Sequence, residues 1–176
     1  MFDFQINQIK PFVDSNQIQK GFFLWVFHAD KIPPHIGCSI DGMYFSLKVG
    51  GKDTALKSAK VLQLIDSKKI PALLIKVDSE ISLESLFQQY QCYDKVETEK
   101  NTCLSPIIDL FNCKSTVCKL SELLKYLTES HKIETVFGLN LPQGYSSLPT
   151  YSKEDIDIRL RKLEDAKSKK YISSLG

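Results

Sequence analysis

Residues 21–49 read GFFLWVFHADKIPPHIGCSIDGMYFSLKV, and three runs inside this stretch decide the fold class. Gly21–Phe27 is aromatic and β-branched and has the length of a strand, the composition of a central strand with both faces covered. Asp30-Lys31-Ile32-Pro33-Pro34 breaks it, because two consecutive prolines remove two backbone donors and hold the chain extended. His35–Ile40 and Met43–Val49 are two more strand-like runs, separated only by Asp41-Gly42. Asp-Gly between such runs is a strong hairpin signal, since both central residues of the tight turn take positive φ.

Working outward, Gly50-Gly51 ends the hairpin. Thr54–Lys69 carries Leu56, Ala59, Val61, Leu62 and Ile65 near helical spacing, which predicts an amphipathic helix closed by Pro71. Ala72–Val77 reads as a strand, and Ser82–Tyr90 as a helix with a serine cap and an acidic first turn. Ser105-Pro106 opens another helix running to Phe111, with proline holding Ser105 out of helical geometry so that the first turn starts at Pro106. Thr116–Glu129 reads as a helix with Leu120, Leu123, Leu124 and Leu127 on one stripe. Ile133–Leu141 reads as a strand with an irregularity at Gly138, and Pro142–Pro149 as loop. From Ser152 a charged helix with a capping-box-like start packs by Ile156, Leu160 and Leu163. Strands and helices mix without regular βαβ alternation, so the class is α+β: an antiparallel sheet with flanking helices. Residues 1–150 form one such domain, and residues 151–176 form an exposed C-terminal helix packed on it or extending from it.

The chain has 176 residues, 43% hydrophobic and 25% charged, the proportions of a globular domain with a core of its own. Twenty-three Lys and Arg against 21 Asp and Glu leave +2, too balanced for the electrostatic attraction that non-specific nucleic-acid binding needs. The odd set of cysteines (Cys38, Cys92, Cys103, Cys113, Cys118) has no Cys-x-x-Cys pair and suits a reducing compartment. The start, MFDFQINQIKPFVDS, lacks the basic, apolar and small-residue pattern of a signal peptide. No apolar run approaches the ~20 residues of a membrane span. These readings predict a cytoplasmic protein without a nucleic-acid partner.

A thiol hydrolase needs a cysteine, a histidine within hydrogen-bond reach of it, and donors aimed at the developing oxyanion. His35 follows the rigid Pro33-Pro34 and begins the first hairpin strand, which fixes its position. Cys103 lies in Lys100-Asn101-Thr102-Cys103-Leu104-Ser105-Pro106, just before a helix whose dipole would lower a thiol pKa near its axis. His35-Ile36-Gly37 at a strand start, a short glycine turn, the aromatic second strand Met43-Tyr44-Phe45-Ser46, the approach through Tyr90 and Tyr93-Asp94, and Asn101-Thr102-Cys103 leading into a helix together resemble a known family. It is the circularly permuted papain-fold thiol hydrolases: the PPPDE deubiquitinating or deSUMOylating peptidases, the lecithin:retinol acyltransferase-like enzymes and bacterial relatives of NlpC. The resemblance covers roughly residues 20 to 127, in the permuted order with the histidine strand before the cysteine helix.

The resemblance implies a permuted papain-like fold and hydrolysis or acyl transfer at an amide or ester carbonyl, on a peptide, protein or acyl-containing substrate and without a cofactor. Cys103 would be the nucleophile, His35 the base, and Ser46 would occupy the third polar position; the Cys103 backbone N–H would help to hold the oxyanion. The rival reading is a non-enzymatic module that holds a peptide or protein on an aromatic surface around Tyr44, Tyr90 and Tyr93. Blander readings cover the remaining residues. Cys38 is a packing residue and the runner-up thiol, while Cys113 and Cys118 belong to the core. His28, His35 and Cys38 lack a fourth metal ligand at suitable spacing, so no metal is expected. His131 sits at a helix end, Gly50-Gly51-Lys52-Asp53-Thr54 lacks phosphate-loop spacing and is a strand-to-helix turn, and Lys167–Lys170 is a solvated helix end.

Overall fold

The computed structural model describes residues 2–174. They run β1 (Phe2–Gln5), β2 (Lys10–Pro11), a 3-10 turn (Ser15–Ile18), β3 (Phe22–Phe27), β4 (His35–Ile40), β5 (Met43–Lys48), β6 (Gly51–Lys57), α1 (Ser58–Ser67), β7 (Ala72–Val77), α2 (Leu83–Gln91), α3 (Ser105–Leu110), α4 (Leu120–Glu129), β8 (Ile133–Leu139), β9 (Ser147–Pro149) and α5 (Lys153–Ser173). The class is α+β. A seven-stranded open sheet has the order β2-β8-β7-β3-β4-β5-β6, and a separate two-stranded sheet pairs β1 with β9. Every pair is antiparallel except β2 with β8.

The run at 22–27 is central because both its neighbours are strands: β4 pairs on one side and β7 on the other, and all six residues are buried. One face carries Leu24, Ile36, Cys38, Phe45 and Leu73 against α2, α3 and α4; the other carries Trp25, Tyr44 and Leu74 against α1 and the 3-10 turn. Trp25 is fully buried and gives its Nε1–H to Ser39 Oγ at 2.8 Å, so the largest side chain enters the core with its polar atom satisfied. Asp41 and Gly42 turn the β4–β5 hairpin at φ of 47° and 77°, the positive pair that a two-residue turn demands.

Five expectations need correction. Thr54–Lys57 is strand, not helix: Gly50-Gly51 turns the chain into a second hairpin in which β6 pairs with β5, so this segment is not a strand-to-helix turn. Leu56, the one member of the expected helical pattern within those four residues, is 42% exposed, while Val61, Leu62 and Ile65 bury the face of α1. The helix expected from Thr116 begins at Leu120, because the Cys118 and Lys119 N–H groups donate to Glu122 Oε2 and end the preceding turn there; Cys118 is exposed, not core. Pro142–Pro149 contains β9, whose partner is the N-terminal strand, and Gly138 is no irregularity but a regular sheet position opposite Leu73. An added Cβ at Gly138 would lie 2.5 Å from Leu141 Cδ1 and 2.8 Å from Ile9 Cγ2, so close approach is what requires the glycine there.

The C-terminal helix α5 is entered by a reciprocal cap, Ser152 and Asp155 each accepting from the other's backbone N–H at 3.2 and 2.7 Å. It is held by Leu160, which is buried, by the preceding Tyr151, whose Oη accepts from Leu120 N–H at 3.0 Å, and by an exposed Arg161–Glu99 ion pair. Leu163, the last residue of the expected stripe, is 36% exposed. Among the described residues no helix is long and apolar enough to cross a membrane.

Candidate functional site

Strand alternation sorts the hairpin's side chains. His35 stands opposite Phe27 and on the same face as Gly37, while Ile36 and Cys38 face the other core. Gly37 pairs with Ser46 and leaves the space over the strand to Tyr44, whose ring lies across it. An added Cβ at Gly37 would come within 2.7 Å of Tyr44 Cε2 and Cζ. Ser46 follows Tyr44 on that face and donates from Oγ to Asp53 Oδ2 at 2.9 Å; Lys48 Nζ closes an ion pair with Asp53 Oδ1 at 2.7 Å. The Tyr44 hydroxyl also hydrogen-bonds to Ser46, so Tyr44, Ser46 and Asp53 form one polar line beside His35.

Cys103 arrives from the loop before α3. Thr102 Oγ1 accepts from Leu104 N–H at 3.2 Å and Ser105 Oγ accepts from Thr102 N–H at 2.8 Å, fixing the turn that carries the thiol. α3 starts at Ser105, one residue earlier than the proline rule predicts, with Leu104 already in helical geometry. Cys103, His35, Tyr44, Ser46 and Asp53 all line one cavity of 990 Å³, which Cys118 also borders. The three residues singled out from sequence thus share the lining of one cavity.

Electrostatics leave both central groups neutral. Burial pushes the Cys103 thiol up to about 11, although the N–H groups of Ile36, Cys103 and Leu104 favour the thiolate. This reverses the expectation that a helix dipole lowers it; α3 is six residues long and burial wins. Burial first, and Lys48 second, hold the His35 imidazole down at about 4 against an opposing pull from Asp53. Among the described residues no hydrogen bond joins Cys103 to His35, and none holds the His35 ring, which stacks at a tilt 5.6 Å from Phe27.

Other candidates fall elsewhere. Cys38 is on the opposite face from His35, 3.5 Å from Tyr90 Oη, and burial pushes its thiol up to about 12. Tyr44 and Tyr90 are buried and the half-buried Tyr93 donates from Oη to Asp109, so two of the three tyrosines of the expected aromatic surface belong to the core instead. Among the described residues no group of three His, Cys, Asp or Glu side chains could hold a metal ion. Asp53 was not singled out from sequence. Only the β5–β6 pairing puts it opposite Ser46, and the glycine pair before it conceals that pairing. Comparison of the chain with protein-family models, curated proteins and solved structures finds no match.

His35 makes stability acid-sensitive in a defined window. Unfolded, the imidazole titrates near 6.5; folded, near 4. As pH falls from 6.5 to 4 the unfolded chain takes up a proton that the folded chain refuses, so stability is complete above that window, declines through it and is flat below it. Each tenfold difference in proton affinity between the two states is worth ~1.4 kcal/mol, which makes the full loss on the order of 3 kcal/mol. Urea midpoints measured from pH 7 to 4 should fall accordingly, and His35→Gln should flatten that part of the profile; an unchanged profile would show that His35 protonates freely in the folded state.

Proposed function

We propose that the protein is a cysteine-dependent hydrolase or acyl transferase acting at an amide or ester carbonyl. The observation that supports this reading is the convergence of Cys103, His35 and the Ser46–Asp53 pair, from three separate segments, on one cavity. His35 takes the proton from Cys103 Sγ as the sulfur forms its bond to the carbonyl carbon, and the carbonyl π electrons move onto the oxygen. The N–H groups of Ile36, Cys103 and Leu104, which favour negative charge at Sγ, are the donors this reading assigns to the oxyanion. Collapse breaks the bond to the leaving group, which departs with the proton from the imidazolium. Water, deprotonated by His35, or another nucleophile then cleaves the thioester and releases the thiol.

Because the resting thiol and imidazole are both neutral, proton transfer belongs to the substrate complex and not to a preformed ion pair. Asp53 offsets charge developing on His35 and holds Ser46, so it takes the third-residue role jointly with Ser46. A binding module on the same groove is the second reading, favoured by the missing thiol–imidazole hydrogen bond. The two are separated by incubating the protein with p-nitrophenyl butyrate, quenching in acid and mapping the adduct by mass spectrometry. The hydrolase reading expects a butyryl thioester on Cys103, absent from Cys103→Ala; acylation confined to the exposed Cys92 and Cys118 would leave the binding module.

A further inference from the structure

The cavity opens into a groove whose walls carry apolar side chains left in solvent. Among the described residues nine large hydrophobic side chains are exposed, and five of them, Ile32, Leu56, Leu64, Ile158 and Leu163, line this one groove. Scattered exposed apolar residues need no explanation, but a concentration on both walls of a cleft above a candidate nucleophile marks a place for a ligand. Leu56 and Leu64 form the wall at β6 and α1, Ile158 and Leu163 the wall at α5, and Ile32 the Pro-Pro loop between His28 and His35.

Cations accompany them on the same elements. Lys60 lies on α1, Lys31 on the loop, and Arg159 and Lys162 on α5; all are exposed, and none makes an ion pair among the described residues. The acids of the groove are already engaged: Asp53 by Lys48 and Ser46, Asp155 by the cap of α5. A chain of net charge only +2 thus gathers unpaired positive charge around one apolar cleft.

We infer that the substrate held in this groove is an acidic polypeptide segment with apolar side chains interspersed, lying along the groove with its scissile carbonyl at Cys103. The distribution of charge decides for a peptide. A fatty acid or other single-headed amphiphile needs its cations clustered at one end, whereas here they are spread over a helix, a loop and a second helix, matching an occupant with several anionic groups along its length. The apolar walls provide the burial and the cations the register and the selection against basic segments. This inference names a substrate for the hydrolase reading and rests on it.

The test is fluorescence anisotropy with a labelled peptide alternating leucine and glutamate, a second peptide with lysine in place of glutamate, and dodecanoate as competitor. Cys103→Ala, which cannot form the acyl-enzyme, is used beside the wild type. Binding of the acidic peptide alone, weakening as salt is raised, and a loss of roughly tenfold on reversing two wall charges in Lys60→Glu/Arg159→Glu support the proposal. Equal binding of both peptides, indifference to the charge reversal, or displacement of the peptide by dodecanoate at lower concentration overturns it. Retention of the acidic peptide by a wild-type protein that forms no butyryl thioester sustains the acidic-peptide assignment for the groove and removes the hydrolase reading, so the two failures are distinguishable.

Discussion

Replacing His35 by alanine is expected to lower the rate of Cys103 acylation by about 10²- to 10⁴-fold, the contribution of a positioned general base. At neutral pH the fold should survive, because the imidazole is uncharged in the folded state and no hydrogen bond to its ring would be broken. The loss should shrink as the pH approaches 11, where the thiol ionises without help. That pH dependence separates a base from a packing residue: a structural defect would depress the rate by the same factor at every pH. Asp53→Asn should give a smaller loss, since Asp53 acts on the imidazolium by charge at a distance and through Ser46. An acylation rate identical in the wild type and His35→Ala would remove the histidine from the reaction altogether.

Gly37→Val is expected to be the most damaging single change on the floor of the site. The first carbon added would overlap the Tyr44 ring, which is buried, stacked edge-on against Trp25 at 5.2 Å and hydrogen-bonded to Ser46. Relief requires the ring to leave or the hairpin to part, and overpacking of this kind costs about 1–3 kcal/mol, with the branched valine at the upper end. A fall in the urea midpoint, largest for valine and less for alanine, with unchanged slope, is the expected outcome. Tyr44→Ala combined with Gly37→Val should be less destabilising than the sum of the two, because the clash is then gone. Full additivity would show that the ring does not occupy the space over residue 37.

The parts of this structure that were legible in sequence share one property: their determinants lie close together in the chain. β3, the hairpin and its turn are read from Gly21–Val49, because each strand's partner is the next strand. β1 and β9 were not legible, since neither has a strong pattern and each exists only through the other, at opposite ends of the chain. The two-residue β2 owes its existence to β8 in the same way. β6 was misread for a subtler reason: its residues are half-buried or exposed on an edge strand, so they carry no alternation, and the apolar spacing of α1 extends backward over them by chance. That error concealed Asp53. That Cys103 and His35 line one cavity was suggested by the order of short motifs and not by any local physics, while the direction of the Cys103 shift could not be read at all, because burial is a property of the assembled core.

The thin attachment of α5 has a consequence for the groove it borders. Local opening of this helix exposes little beyond Leu160, Ile156 and Tyr151 and breaks one solvent-screened ion pair, so it draws on far less free energy than unfolding of the sheet. One wall is continuous with the sheet through β6 and α1, while the other hangs on few buried side chains, so the spacing between them costs less to change than the sheet costs to open. For the peptide proposed above, seating Ile158 and Leu163 would carry the entropic cost of fixing that helix, so its affinity would depend on the attachment of α5 as well as on the contacts made.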